Sequence, residues 1–232
     1  MATHETTVFH RGLFLEGPAG RLEASLWTSP EPDPPIRAVV CHPHPLYGGT
    51  MHNKVVFQVA KTLHELGLAV LRFNFRGAGL SEGKHDEGRG ESDDVRAALR
   101  FLAGQFPARP VLLAGFSFGA WVGLRVGCAS QGEGERVAEL IGLGLPANDS
   151  DFSYLRDCPK PKLFVQGERD PYGAQKKVES LVASLPDSHQ QQTRLVFIPG
   201  ADHFFTGQLA AVDQAVRAWL LERHPELASA PR

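Results

Sequence analysis

A chain of 232 residues with 42% hydrophobic and 22% charged residues has the make-up of an ordinary globular protein, not of a disordered one. That length suits one α/β domain built around one core, and residues 1–232 are read as such a domain. With 24 Lys and Arg against 26 Asp and Glu, the formal net charge of −2 supplies no positive field to gather phosphates, so nucleic acid is excluded as an expected partner.

In chain order, residues 1–11 lack a basic segment followed by an apolar run, and no run anywhere approaches ~18 apolar residues. Neither a signal peptide nor a membrane partner is expected. Residues 1–9 are expected to be loosely ordered. Residues 13–16 and 22–27 flank the Gly-Pro-Ala-Gly turn at 17–20, which predicts an antiparallel hairpin. A Pro-rich linker, 30–35, follows. Apolar runs at 37–42, 69–75, 111–116 and 163–165 predict buried strands, and the weaker runs 140–145 and 194–198 complete the alternation. Between them lie helical stripes. Val56, Val59, Ala60 and Leu63 form the first, ended by Gly67; Val95, Ala98, Leu99 and Leu102 form the second, with Asp93 and Asp94 in its first turn. The segment after Phe116 carries Gly119, Gly123 and Gly127 at every fourth position, a pattern that lets a helix approach the sheet closely. Val178, Leu181, Val182 and Leu185 end at Pro186. Leu209, Val212, Val216, Trp219 and Leu220 make the last stripe, and a loose tail is expected over 225–232. This is a mostly parallel sheet with an N-terminal antiparallel hairpin and helices on both faces. The cysteines Cys41, Cys128 and Cys158 are odd in number and widely spaced, which fits a reducing, cytoplasmic setting better than a disulfide framework.

Chemistry concentrates at Gly115-Phe116-Ser117-Phe118-Gly119, a G-x-S-x-G between a strand and a helix. A sharp turn there lifts the central hydroxyl clear of the backbone and leaves room only for glycine two positions to either side. A serine hydroxyl needs a base within hydrogen-bond reach, and the base needs a group that holds its tautomer. His203, in the loop after the last strand, is the expected base; His189, in a polar loop, and His224, at the end of the last helix, read as solvated. Asp170, just past the strand at 163–165, is the expected acid, with Glu168, Asp149 and Asp151 as rivals. The amide of Phe118 supplies one oxyanion donor. Pro43 and Pro45 lack N–H groups, so the second comes from His44 or Leu46. Gly79–Lys84 has the wrong spacing for a phosphate loop, and Arg76 and Ser81 are read as holding their own loop through backbone hydrogen bonds. His42, His44 and His52 have no completing ligand, so they are read as structural; no metal and no cofactor is expected.

The strand-elbow-helix, the acid and histidine loops and the segment Arg76-Gly-Ala-Gly-Leu-Ser81 together resemble the α/β-hydrolase superfamily over essentially the whole chain. The run from Cys41 to Val56, containing Cys-His-Pro-His-Pro-Leu-Tyr-Gly-Gly, is similar to a group of small bacterial hydrolases. The resemblance implies Ser117 as nucleophile, Asp170 as acid and His203 as base. Dienelactone hydrolases, related in form, carry a cysteine where this chain has Ser117. Where many members of the superfamily hold a helical cap, this chain has only residues 146–161, so no cap domain is expected and the site should be shallow. Leu46, Tyr47, Phe116, Phe118, Phe152, Tyr154, Phe204 and Phe205 are the candidate pocket residues. The expected function is hydrolysis of small or medium carboxylic esters through an acyl-enzyme. Thioesterase, peptidase or acyltransferase activity on the same triad, or binding without catalysis, are the alternatives. Oligomeric state is not legible in the sequence.

Overall fold

The computed structural model describes residues 9–28 and 34–229. Two N-terminal strands, β1 (Phe9–Gly17) and β2 (Gly20–Thr28), pair antiparallel through the tight turn at Pro18 and Ala19. The predicted linker lies largely outside the described residues, as do residues 1–8. Six further strands follow: β3 (Arg37–Cys41), β4 (Ala69–Phe73), β5 (Val111–Phe116), β6 (Val137–Leu143), β7 (Lys162–Gly167) and β8 (Thr193–Ile198). The eight form one sheet in the order β1-β2-β4-β3-β5-β6-β7-β8, antiparallel between β1, β2 and β4 and parallel from β4 to β8.

Among the described residues there are six α-helices: α1 (Lys54–Glu65), α2 (Arg89–Gln105), α3 (Phe118–Gly127), α4 (Gln175–Ala183), α5 (Asp187–Gln191) and α6 (Leu209–Arg223). All but the short α5, which buries no residue, cover the two faces. The period-2 alternation of the strands divides the core accordingly. Val39 and Cys41 of β3 with Leu113 of β5 face the side of α2, α3 and α4, while Ala38, Val40, Leu112 and Ala114 face the side of α1 and α6. No helix among the described residues is long and apolar enough to cross a membrane.

Several expectations are corrected. Helix α2 begins at Arg89, four residues before Asp93, because the Glu91 carboxylate accepts the N–H groups of Asp86 and Gly88 and so caps an earlier turn. Asp94 is thereby turned inward, where it takes Arg76 (Nη2–Oδ1 2.7 Å) and its backbone N–H; Arg76 holds a helix as well as its own loop. Ser81 donates to the Asn74 carbonyl as expected and also accepts the Glu23 amide, tying that loop to the hairpin. Residues 225–229 form a 3₁₀ turn that buries Leu227 beside α6, so this part of the tail is anchored. The polar loop expected around His189 contains the short α5. His224 is half-buried against Glu139 (3.0 Å) instead of solvated.

Candidate active site

The elbow joins β5 to α3 with Ser117 between them at φ 55° and ψ −121°, a conformation that costs a non-glycine residue strain. Neighbouring glycines make it sterically possible. A Cβ on Gly115 would meet the Gly119 carbonyl, and one on Gly119 would meet the carbonyls of His42 and Cys41 at the end of β3. Gly127 is likewise pressed against Leu140, but Gly123 has only ordinary contact distance to Cys41, so close approach is demanded at two of the three predicted positions.

The turn projects the Ser117 hydroxyl toward the loops that follow β7 and β8. There His203 Nε2 lies 2.9 Å from Ser117 Oγ, and His203 Nδ1 lies 2.7 Å from Asp170 Oδ2. Both His203 and Asp170 are buried. Asp170 is held from several sides. Gln166 donates to Oδ2 (2.8 Å), and the amides of Tyr172 (2.8 Å) and Gly173 (3.3 Å) donate to Oδ1. With the carboxylate accepting at Nδ1, the imidazole proton resides there and Nε2 presents its lone pair to the hydroxyl. The rival acids are engaged elsewhere: Glu168 accepts the Gly200 amide, Asp151 caps Ser153, and Asp149 is exposed.

On the other side of Ser117 stands the loop after β3. His42 is buried, with Nδ1 donating to the Pro43 carbonyl (2.6 Å) and Nε2 accepting the Phe75 amide (2.9 Å). Burial, opposed in part by the Pro43 bond, lowers its pKa to about 4, so it is a neutral tie between β3 and the residues after β4. A 3₁₀ turn, Pro45–Tyr47, follows, and the Leu46 amide is spent on His44 Nδ1 (3.2 Å). Of the two candidate second donors, Leu46 is therefore the engaged one. Phe118 is the first residue of α3, so its amide is among the first-turn N–H groups that have no acceptor within the helix.

These elements enclose a cavity of about 420 Å³ opening on Ser117 and His203. Tyr47, Phe118 and Phe204 of the predicted pocket residues line it, as does His44. Phe116 does not: it is fully buried behind His203, ring centroids 5.0 Å apart. Phe205 and Phe152 are core residues on opposite faces of the sheet. Tyr154 points its hydroxyl at the Trp121 carbonyl, and exposed Leu46 lies off the cavity wall. Of residues 146–161, Pro146 and Ser150 line the cavity wall, and the rest form no lid: a 3₁₀ turn, Ser153–Asp157, packs Leu155 and the flanking Phe152 and Cys158 into the core. Sequence reasoning missed Tyr172, whose ring stands 4.6 Å from that of His203. Its place two residues beyond Asp170 was the available signal. His85 stands behind the cavity wall, off its lining, 2.8 Å from buried Glu91 and with its ring tilted 43° to that of His44 at 4.6 Å between centroids.

A family model described as an α/β hydrolase domain matches residues 37–217. An uncharacterized protein of Rickettsia prowazekii is 38% identical over 215 residues, 90% of this chain and 88% of its own. A Xanthomonas campestris crystal structure, described as an α/β serine hydrolase without lid, superposes with a TM-score of 0.83 at 38% identity, covering 92% of this chain and 94% of that one. A Coxiella burnetii α-β serine hydrolase homologue gives 0.82 at 35%, covering 94% and 100%.

Proposed function

The chain belongs to the α/β-hydrolase domain family, and from that membership we propose that it is a serine carboxylic-ester hydrolase working through an acyl-enzyme at Ser117. The observation that carries this reading is the line from Ser117 Oγ through His203 to Asp170, with both hydrogen-bond separations under 3 Å. His203 Nε2 takes the hydroxyl proton as Ser117 attacks the ester carbonyl. The developing oxyanion faces the amides of Phe118 and His44, the first of them strengthened by the dipole of α3. Collapse of the tetrahedral intermediate expels the alcohol with the proton from His203 Nε2. Water, deprotonated by the same nitrogen, then attacks the acyl-enzyme and restores the serine.

The open cavity of about 420 Å³ suits an acyl group of small or medium size. A matched panel of a butyrate ester, the corresponding thioester and the corresponding anilide tests the reaction class. The ester is expected to show the highest kcat/KM and to lose turnover in Ser117→Ala. Preference for the thioester or anilide would overturn the esterase reading, and turnover that survives Ser117→Ala would overturn the mechanism.

A further inference from the structure

We propose that the cavity selects neutral esters whose alcohol portion carries an aryl ring, with Tyr172 and Phe204 forming the alcohol subsite. This inference rests on the esterase reading above. The proton delivered on acylation comes from His203 Nε2, so the oxygen of the departing alcohol must come within hydrogen-bond reach of that atom. Whatever is attached to that oxygen then lies against the side chains that border the His203 ring. Among the described residues three aromatic rings do so: Phe116 at 5.0 Å, Tyr172 at 4.6 Å and Phe204 at 5.2 Å between centroids. Phe116 is fully buried behind the imidazole and has no face left to offer.

Tyr172 and Phe204 differ from it. They are 50% and 43% exposed, and both line the cavity. Each spends apolar ring surface on solvent beside the reacting atoms without being needed to fill the core. An alcohol substituent seated there covers that surface. Two rings set around one position favour a flat aromatic guest, since edge-to-face and offset contacts between rings add to the gain from buried area. Charge discriminates as well. No Lys, Arg, Asp or Glu is among the described residues that line the cavity, so a phosphate or carboxylate on the leaving group would find no charged partner there, while a neutral aryl group loses nothing.

Acetates of different alcohols isolate this subsite. All give the same acetyl-enzyme at Ser117: the bond from Oγ to the acetyl carbon forms, the bond from that carbon to the alkoxy oxygen breaks, and the alcohol leaves with the proton from His203. Deacylation by water is then identical, and differences in kcat/KM belong to the alcohol alone. Benzyl acetate is expected to exceed ethyl acetate on the order of tenfold and cyclohexylmethyl acetate about threefold. The preference over cyclohexylmethyl acetate should vanish in a Tyr172→Leu, Phe204→Leu double variant and persist in Tyr172→Phe, which keeps the ring. Equal rates for benzyl and cyclohexylmethyl acetates, or for benzyl and ethyl acetates, would overturn the inference. So would a preference unchanged in the double variant. A fluorophosphonate run in parallel separates the two levels. If it labels Ser117 while no acetate is turned over, the subsite assignment falls and the serine-nucleophile reading stands; if it does not label Ser117, both fall.

Discussion

At the scale of single residues, the candidate chemistry depends on a hydroxyl that is weak alone. Ser117→Ala is expected to lower kcat on the order of 10⁶-fold. Asp170→Asn keeps the shape but turns a tautomer-fixing acceptor into a group that also donates, and should cost on the order of 10⁴-fold. Steady-state kinetics on a butyrate ester check both, and a larger loss in Asp149→Asn than in Asp170→Asn would reverse the acid assignment. The three residues were legible in the sequence because a nucleophile elbow, an acid after a strand and a histidine after the last strand follow a fixed order. What the order left open was which of four acids points inward. That depends on side-chain partners such as the Gly200 amide, which occupies Glu168, and Gln166, which reaches Asp170. The aromatic pocket residues were poorly legible for a related reason. Phe116 and Phe204 look alike in sequence, yet one is sealed behind the imidazole and the other half open to solvent.

At the scale of elements, α3 shows how a single periodic signal divides into parts. Gly119→Ala drives a methyl into the backbone carbonyls of His42 and Cys41, which cannot yield without moving β3, and should lower stability by at least ~1–3 kcal/mol. Gly123→Ala meets only ordinary contact and should raise it by up to about 1 kcal/mol, since alanine suits a helix interior better. Thermal or denaturant unfolding of the two variants compares them directly. The loop after β3 adds a pH-dependent element. Its His42 has a folded-state pKa of about 4 against an unfolded value near 6.5, so the folded state binds fewer protons in that window. The stability this depression supports is present above about pH 6.5 and is lost as pH falls toward 4. His42→Asn should show a shallower loss of unfolding free energy than the wild type between pH 6.5 and 4; equal slopes would contradict the assignment. Strand positions were well marked by their apolar runs, whereas the start of α2 was not. It depends on the Glu91 carboxylate reaching back to the Asp86 and Gly88 amides, a reciprocal contact that helical periodicity does not carry.

At the scale of the whole molecule, the sheet splits the core in two and leaves its C-terminal edge to loops. The absence of a cap was legible from the length of 146–161, but that segment's inward packing was not. Its aromatic residues serve the core in place of the site. Across the same molecule, the Arg76–Asp94 pair joins the loop after β4 to α2 with both side chains largely buried. Asp94→Ala would strand the guanidinium without its partner and is expected to cost about 3–5 kcal/mol, read as a lowered unfolding midpoint. The fold can thus be probed apart from the chemistry, which depends on the convergence of Ser117, His203 and Asp170. Intact-mass spectrometry after brief exposure to a fluorophosphonate tests it most directly. One adduct is expected, mapped to Ser117, absent in Ser117→Ala and formed far more slowly in folded His203→Ala. An adduct on another residue, or labelling of Ser117 at the same rate without His203, would contradict it.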